Sequence, residues 1–326
     1  MWPFISQGQY AFQWQEKASM PFRTSNNAVC SAFSGGEECV YSFMGIDSTK
    51  LYTGIHLRTF KYRPSTDNWE ELAPVPDTLG KIASAAIAVN GIVYIIGGYH
   101  VFQGPPFELS SDRVHRFDPE TDSFLEDGAP VPVPIDDHVQ CVWRDSLIFL
   151  VSGWSDVDFV PDVQIYNPFS DVWTSGTNVP SGIEYEHFGA SGVIIGDTIY
   201  YHGGAAGGSF SASGRLRKGV IDPEDATQIT WSVIGNYTDK KGYRAGAIAV
   251  DDFALWIGGS QVTYNYNGIS YGGTPVSALD RVLVHDTHGE TLEVVNGLIP
   301  EVMDIRGLAE MVDRSISVEE WSQGRR

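Results

Sequence analysis

The chain has 326 residues, 42% hydrophobic and 12% aromatic, and its 35 glycines and 17 prolines punctuate recurring apolar runs, which excludes a low-complexity or disordered polymer. A formal net charge of −20 opposes phosphate backbones and anionic lipid surfaces, so no nucleic acid and no membrane are expected as partners. No apolar run approaches the ~18 residues that span a bilayer, and MWPFISQGQY lacks the basic and apolar regions of a secretory signal, so a cytoplasmic chain is expected unless a precursor segment is missing.

In chain order, the first recognisable segment is WQEKASMP (Trp14 to Pro21), which aligns position for position with WEELAPVP (Trp69 to Pro76). No glycine-ended strand precedes it. Five such strands follow: YSFMG, VYIIGG, IFLVSG, TIYYHGG and FALWIGG, whose last glycines (45, 98, 153, 204 and 259) are 53, 55, 51 and 55 residues apart. Before each lies a small-residue strand such as KIASAAIAV, joined in one copy by the hairpin dipeptide Asn90-Gly91. After each lies a variable loop, a short strand and a turn with aromatics seven apart: Tyr62 and Trp69, Phe117 and Phe124, Tyr166 and Trp173. The fourth copy stretches this spacing to reach Trp231, and the fifth replaces the Trp by Leu292. Last comes IRGLAEMVD (Ile305 to Asp313), which reads as another small-residue strand, but RSISVEEWSQGRR lacks the glycine pair.

Four short antiparallel strands per ~50 residues, repeated in a ring, is the β-propeller pattern. The expected fold is all-β and six-bladed, closed by pairing an N-terminal strand with the C-terminal blade. The divisions are 1–22 (outer strand of blade 6), 23–77, 78–133, 134–181, 182–239 and 240–302 for blades 1 to 5, and 303–326 for the inner part of blade 6. Cys30, Cys39 and Cys141 cannot all pair. Cys30 and Cys39 either face one another across a hairpin or stay as buried free thiols, which a chain without an export signal favours.

The glycine pairs, the following aromatic and the spaced Trp resemble the kelch family over about residues 10 to 312. Among kelch rings, sialic acid mutarotases are nearest in architecture, yet their catalytic residues do not match one by one, and the iron pattern of plant specifier proteins is absent. The resemblance implies a fold and leaves the function open.

Alternate connections of such blades emerge on one face, so function is sought in the loops around that mouth of the channel. Arg244 and Arg306 suit a bidentate clamp on a carboxylate, with Asp137, His138, Lys81, Asp47 and His100 as further polar ligand-binding candidates. Trp154 and Tyr266 offer stacking faces. Glu186 and His187 are the catalytic candidates, either one moving a proton beside a substrate held by Arg244. Asp137–His138 and Glu186–His187 carry metal-ligating chemistry, but neighbours in a strand point to opposite faces, so no metal and no cofactor are expected. Two functions follow from these residues. One is a cofactor-free isomerase, mutarotase-like, acting on a small polar or carboxylated metabolite. The other is a protein-interaction module gripping a partner's peptide with the same rim.

Overall fold

Five antiparallel four-stranded blades form where the repeats predict them, in a computed structural model that describes residues 14–297, 299–311 and the strand Ile316–Ser317. Blade 1 is Ala28–Ser34, Glu37–Asp47, Ile55–Arg63 and Asn68–Leu72; blade 2 is Ile82–Val89, Ile92–Val101, Val114–Asp118 and Ser123–Phe124. Blade 3 is Val139–Trp143, Leu147–Val151, Val163–Asn167 and Val172–Ser175. Blade 4 is Phe188–Ile195, Thr198–Ala206, Arg215–Asp222 and Asp225–Asn236, and blade 5 is Gly246–Val250, Phe253–Ile257, Arg281–Asp286 and Glu293–Asn296. The core is divided into layers between blades. Tyr41 and Phe43 of blade 1 meet Phe117 of blade 2 at centroid distances of 5.3 and 5.4 Å. Equivalent layers bury Ile96 with Leu150, and Phe149 with Tyr201. Each such side chain contributes about 1.5–3 kcal/mol by leaving water.

The glycine pairs mark where one blade receives the linker into the next. A Cβ on Gly97 would lie 2.3 Å from the Ile135 carbonyl oxygen, and one on Gly203 the same distance from that of Gly242. The second glycine donates its N–H to the same linkers, Gly98 to Ile135 at 2.9 Å and Gly204 to Gly242 at 2.8 Å. Only a residue without a side chain permits both contacts.

A ring of six residues surrounds the channel axis. Asn26, Ala83, Asp137, Gly189, Arg244 and Asp304 all adopt left-handed backbone, with φ between 48° and 66°. Each lies just before or within its innermost strand, and a hydrogen bond links each to the next. Asp137, Gly189 and Arg244 donate their N–H to the carbonyls of Ala83, Asp137 and Gly189 at 3.1, 2.8 and 2.8 Å. The Ile305 N–H donates to Arg244 at 3.1 Å, the Asn26 N–H to Asp304 at 3.1 Å, and Ala83 N–H to the Asn26 side-chain oxygen at 2.8 Å. Asp304 and Ile305 therefore hold a sixth position between blades 5 and 1. Beyond them, a Cβ on Gly246 would meet Ile305 and Leu308, and one on Gly307 would meet Val29.

At that sixth position Ala309–Glu310 and Ile316–Ser317 pair among the described residues; residues 312–315 and 318–326, where a glycine-ended strand would follow, lie outside them. The N-terminal closing strand is not seen in residues 14–20, which form no strand; residues 1–13 lie outside the described residues. The linker after it is nonetheless in register. In blades 1, 3 and 4 the outer-strand Trp donates its indole N–H to the preceding linker: Trp69 to Ala18, Trp173 to Ala129 and Trp231 to Thr177, at 2.8, 2.8 and 2.9 Å. Asp67 likewise accepts from the Ala18 N–H and Tyr62 hydroxyl as Asp171 does from Ala129 and Tyr166. Ala18 thus stands where a linker leaves a preceding blade.

The cysteines do not face one another. Strand register sets Cys39 opposite Ala32 and Cys30 opposite Tyr41. All three thiols are buried and free, and burial pushes Cys141 up to about 12.

Candidate functional site

Three of the six ring positions carry charge, and their left-handed backbone turns them toward the axis at the loop end of the channel. Arg244 of blade 5 reaches Asp137 of blade 3 with Nε at 3.1 Å and Nη2 at 2.6 Å, and its Nη1 lies 3.2 Å from Asp304. Asp304 accepts from the Ser25 hydroxyl at 3.2 Å and sits 3.5 Å from the Lys50 ammonium. Arg306 donates to the His138 carbonyl at 2.9 Å and approaches Asp137 at 3.5 Å. Arg244, Arg306, Asp137 and Asp304 are all buried. Burial alone would raise the Asp137 carboxyl, but the Arg244 and Arg306 guanidinium groups hold it below its usual range. Burial, reinforced by the Asp137 charge, pushes the neighbouring Asp136 carboxyl well above; it accepts from the Ser110 hydroxyl at 2.6 Å.

The loop 259–279 of blade 5 covers this network. Tyr264 stacks edge-on against Tyr243 at 5.1 Å, and both rings lie beside the Arg244 guanidinium. Tyr266 crosses to blades 1 and 2, where it packs against Ile46, Ile82 and Tyr99. The channel beneath encloses about 500 Å³ and runs from His138 and Arg306 to Asn90, Gly91 and Asp145 in the opposite hairpins. Its loop end is filled with paired charge and roofed with tyrosine. Its accessible end is the other one.

The sequence candidates divide accordingly. Asp137, His138, Arg244 and Arg306 come together. His138 is buried, its ring paired with Gln140 at 3.1 Å, and burial, then Arg306, depress its pKa to about 4. Glu186 and His187 are not a pair. Glu186 caps the Gly182 N–H at 2.9 Å, whereas His187 is buried with Arg217 Nη2 at 2.7 and 3.0 Å from its two ring nitrogens. Burial and then Arg217 hold His187 well below its usual pKa, neutral and enclosed. Arg244 therefore converges on Asp137 and Asp304, not on Glu186. Lys81 is buried under blade 2, where Asp77 at 3.1 Å and His115 at 3.0 Å enclose its ammonium. Asp47 caps Thr49 locally, and His100 meets the Gly80 carbonyl at 3.2 Å. Sequence reasoning gave Asp304 no role and missed Lys50 and Gln140. Gln140 carried a signal, being the one long polar side chain in an innermost strand of small and apolar residues.

Trp154 belongs to a different assembly on the same face. Its ring lies 5.3 Å from Phe159, 5.3 Å from Phe188 and 5.4 Å from Phe210, and Phe210 lies 4.9 Å from Tyr271. Around this cluster the side chains turn outward: Val157 is 84% exposed, Ile183 56%, Val262 49% and Tyr271 43%. Ile183 abuts Gly207 in the turn that carries Phe210, and Thr263, beside Val262, donates its hydroxyl to the Phe210 carbonyl. Loops of blades 3, 4 and 5 thus meet in one aromatic cluster, with exposed aliphatic side chains on the segments that carry it.

The Kelch motif matches residues 83–126, which is blade 2. The chain is similar to mouse Kelch-like protein 35, 30% identical over 125 residues, covering 38% of this chain and 19% of the relative. It is also similar to Beta-scruin of Limulus polyphemus, at 27% identity over 37% of this chain and 12% of that protein. Kelch-like protein terF of Aspergillus terreus is 28% identical, over 37% of this chain and 27% of the relative. The matched segments thus span less than a third of each of these relatives. Among solved structures, YjhT superposes with a TM-score of 0.67 at 13% identity, covering 91% of this chain and 94% of that one, a likeness of fold.

Proposed function

We propose that this kelch-type β-propeller is a protein-binding module that docks its partner on the loop face, centred on the patch over blades 3 to 5. Kelch propellers bind proteins or small molecules, and the distribution of groups on this face favours the first. The charges that a small polar ligand would need at the mouth are already paired with one another under the blade 5 loop. What the face presents instead is exposed Val157, Ile183, Val262 and Tyr271 around half-buried Trp154, Phe159 and Phe210. A contiguous apolar patch rich in aromatics is the usual make-up of an interface centre. That exposure is the observation that carries the reading.

Immobilised protein should retain a partner from an extract of its source cells, and a Val157→Asp, Ile183→Asp double variant should release it. Losing such anchors costs about 2 kcal/mol or more of binding. Glu224→Ala, on the hairpin face, should leave capture unchanged. Equal capture by wild type and both variants would contradict docking at the patch.

A further inference from the structure

The docking surface has a charge as well as an apolar character, and that charge selects among partners. In blade 3 the turn that lifts Val157 is Asp156-Val157-Asp158, with both carboxylate residues exposed. In the linker into blade 4, Ile183 is followed by Glu184 and then Glu186, the first exposed and the second half-buried. Val157 is therefore flanked by an acid on each side, and Ile183 is followed by two. Against these four carboxylates the neighbouring strand offers half-buried Arg215. Two other arginines near this face are engaged inside the protein: Arg217 is buried against His187, and Arg244 is locked to Asp137 and Asp304. The hydrogen bonds of the carboxylates come from neutral N–H groups, nearby in the chain for Asp158 and Glu186 and from blade 2 for Asp156, and leave their charge in place. Asp158 accepts from the Phe159 N–H at 2.8 Å and Glu186 from Gly182 at 2.9 Å, while Asp156 accepts from the Ser110 N–H at 3.0 Å.

An apolar partner segment bearing acids would meet like charge on both flanks, which is unfavourable at close range. A segment whose apolar anchors alternate with Lys or Arg would seat its anchors between Val157, Ile183 and Phe210. It would then lay its cations against Asp156, Asp158, Glu184 and Glu186. The net charge of −20 adds long-range attraction of the same sign. Resting on the docking reading above, we infer that the partner contributes a basic amphipathic peptide segment, held by apolar anchors in the patch and by cations on its acidic flanks.

Three labelled peptides of equal length test this by fluorescence anisotropy on the whole protein: one of Leu and Lys, one of Leu and Glu, and one of Ser and Lys. The Leu–Lys peptide should bind, and raising salt from about 50 to 500 mM should weaken it by about tenfold as the flanking charges are screened. Asp158→Asn with Glu184→Gln, both at exposed positions, should weaken it several-fold with the melting temperature unchanged. Tighter or equal binding of the Leu–Glu peptide would overturn the charge assignment while sustaining the docking surface. Equal binding of the Ser–Lys peptide would also overturn it, by showing attraction to the acidic chain at large. Binding of none of the three would overturn both the inference and the docking reading.

Discussion

The two ends of the channel use the same kinds of residue for opposite ends. At the loop end, Arg244, Asp137, Asp304 and Arg306 point inward and neutralise one another under Tyr264 and Tyr266. At the hairpin end, carboxylates of the turns face water: Asp145 beside the channel opening, and Asp222, Glu224 and Asp225 in blade 4. The difference comes from backbone position. A charge placed on one of the six left-handed ring residues is committed to the axis and must find a partner there, because an unpaired buried charge is strongly unfavourable. A charge placed in an outward turn needs none. Charged residues around a propeller mouth are thus ordinary ligand-binding candidates only where they stand off that ring.

The largest expected effect comes from breaking the sealed end. Arg244→Met leaves Asp137 and Asp304 buried without their guanidinium and should lower unfolding stability by about 3–5 kcal/mol, read by chemical denaturation. An equal loss from Asp145→Asn at the open end would erase the contrast between the two.

Titration sharpens the same contrast. His138 and His202 are buried, and burial followed by nearby arginines depresses them from 6.5 to about 4 and about 3. The unfolded chain binds protons at these sites below pH 6.5 while the folded one does not, so they make stability fall as pH drops from 6.5 toward 4. The melting temperature should decline over that window, and His138→Gln should flatten the decline. An unchanged slope in that variant would remove His138 from the account.

How much of this was legible in the sequence follows from which physics writes into residue types. The blades were legible because strand periodicity, Asn90-Gly91 and the glycine pairs each require particular residues. The sequence also marks the sixth copy as different, since no glycine pair follows Ile305 to Asp313. The ring was half legible. Asn26, Asp137, Gly189 and Asp304 are residues that tolerate left-handed backbone, but Ala83 and Arg244 are not, and without them the period stays hidden. The places of Glu186 and His187 were not legible, because the sequence does not show that the chain makes one a loop cap and buries the other against Arg217.

A smaller effect probes the sixth position. Asp67→Ala and Asp171→Ala each remove the acceptor of one linker N–H and one tyrosine hydroxyl, so both should cost about 1–2 kcal/mol. A negligible loss at Asp67 beside a full loss at Asp171 would mean that the segment around Ala18 does not serve as a linker. The smallest effect belongs to Glu186→Gln, which keeps an acceptor for Gly182 and should change stability by less than about 0.5 kcal/mol.

The most direct measurement is a double-mutant cycle on the sealed end, with Arg244→Met, Asp137→Leu and the two combined, each followed by denaturant unfolding. If the loop-end charges serve to close the channel, the single variants lose several kcal/mol and the double variant regains most of it, with a coupling of about 3 kcal/mol or more. Additive losses, or a single variant as stable as wild type, would contradict the account and return Arg244 to the rim as a free cation.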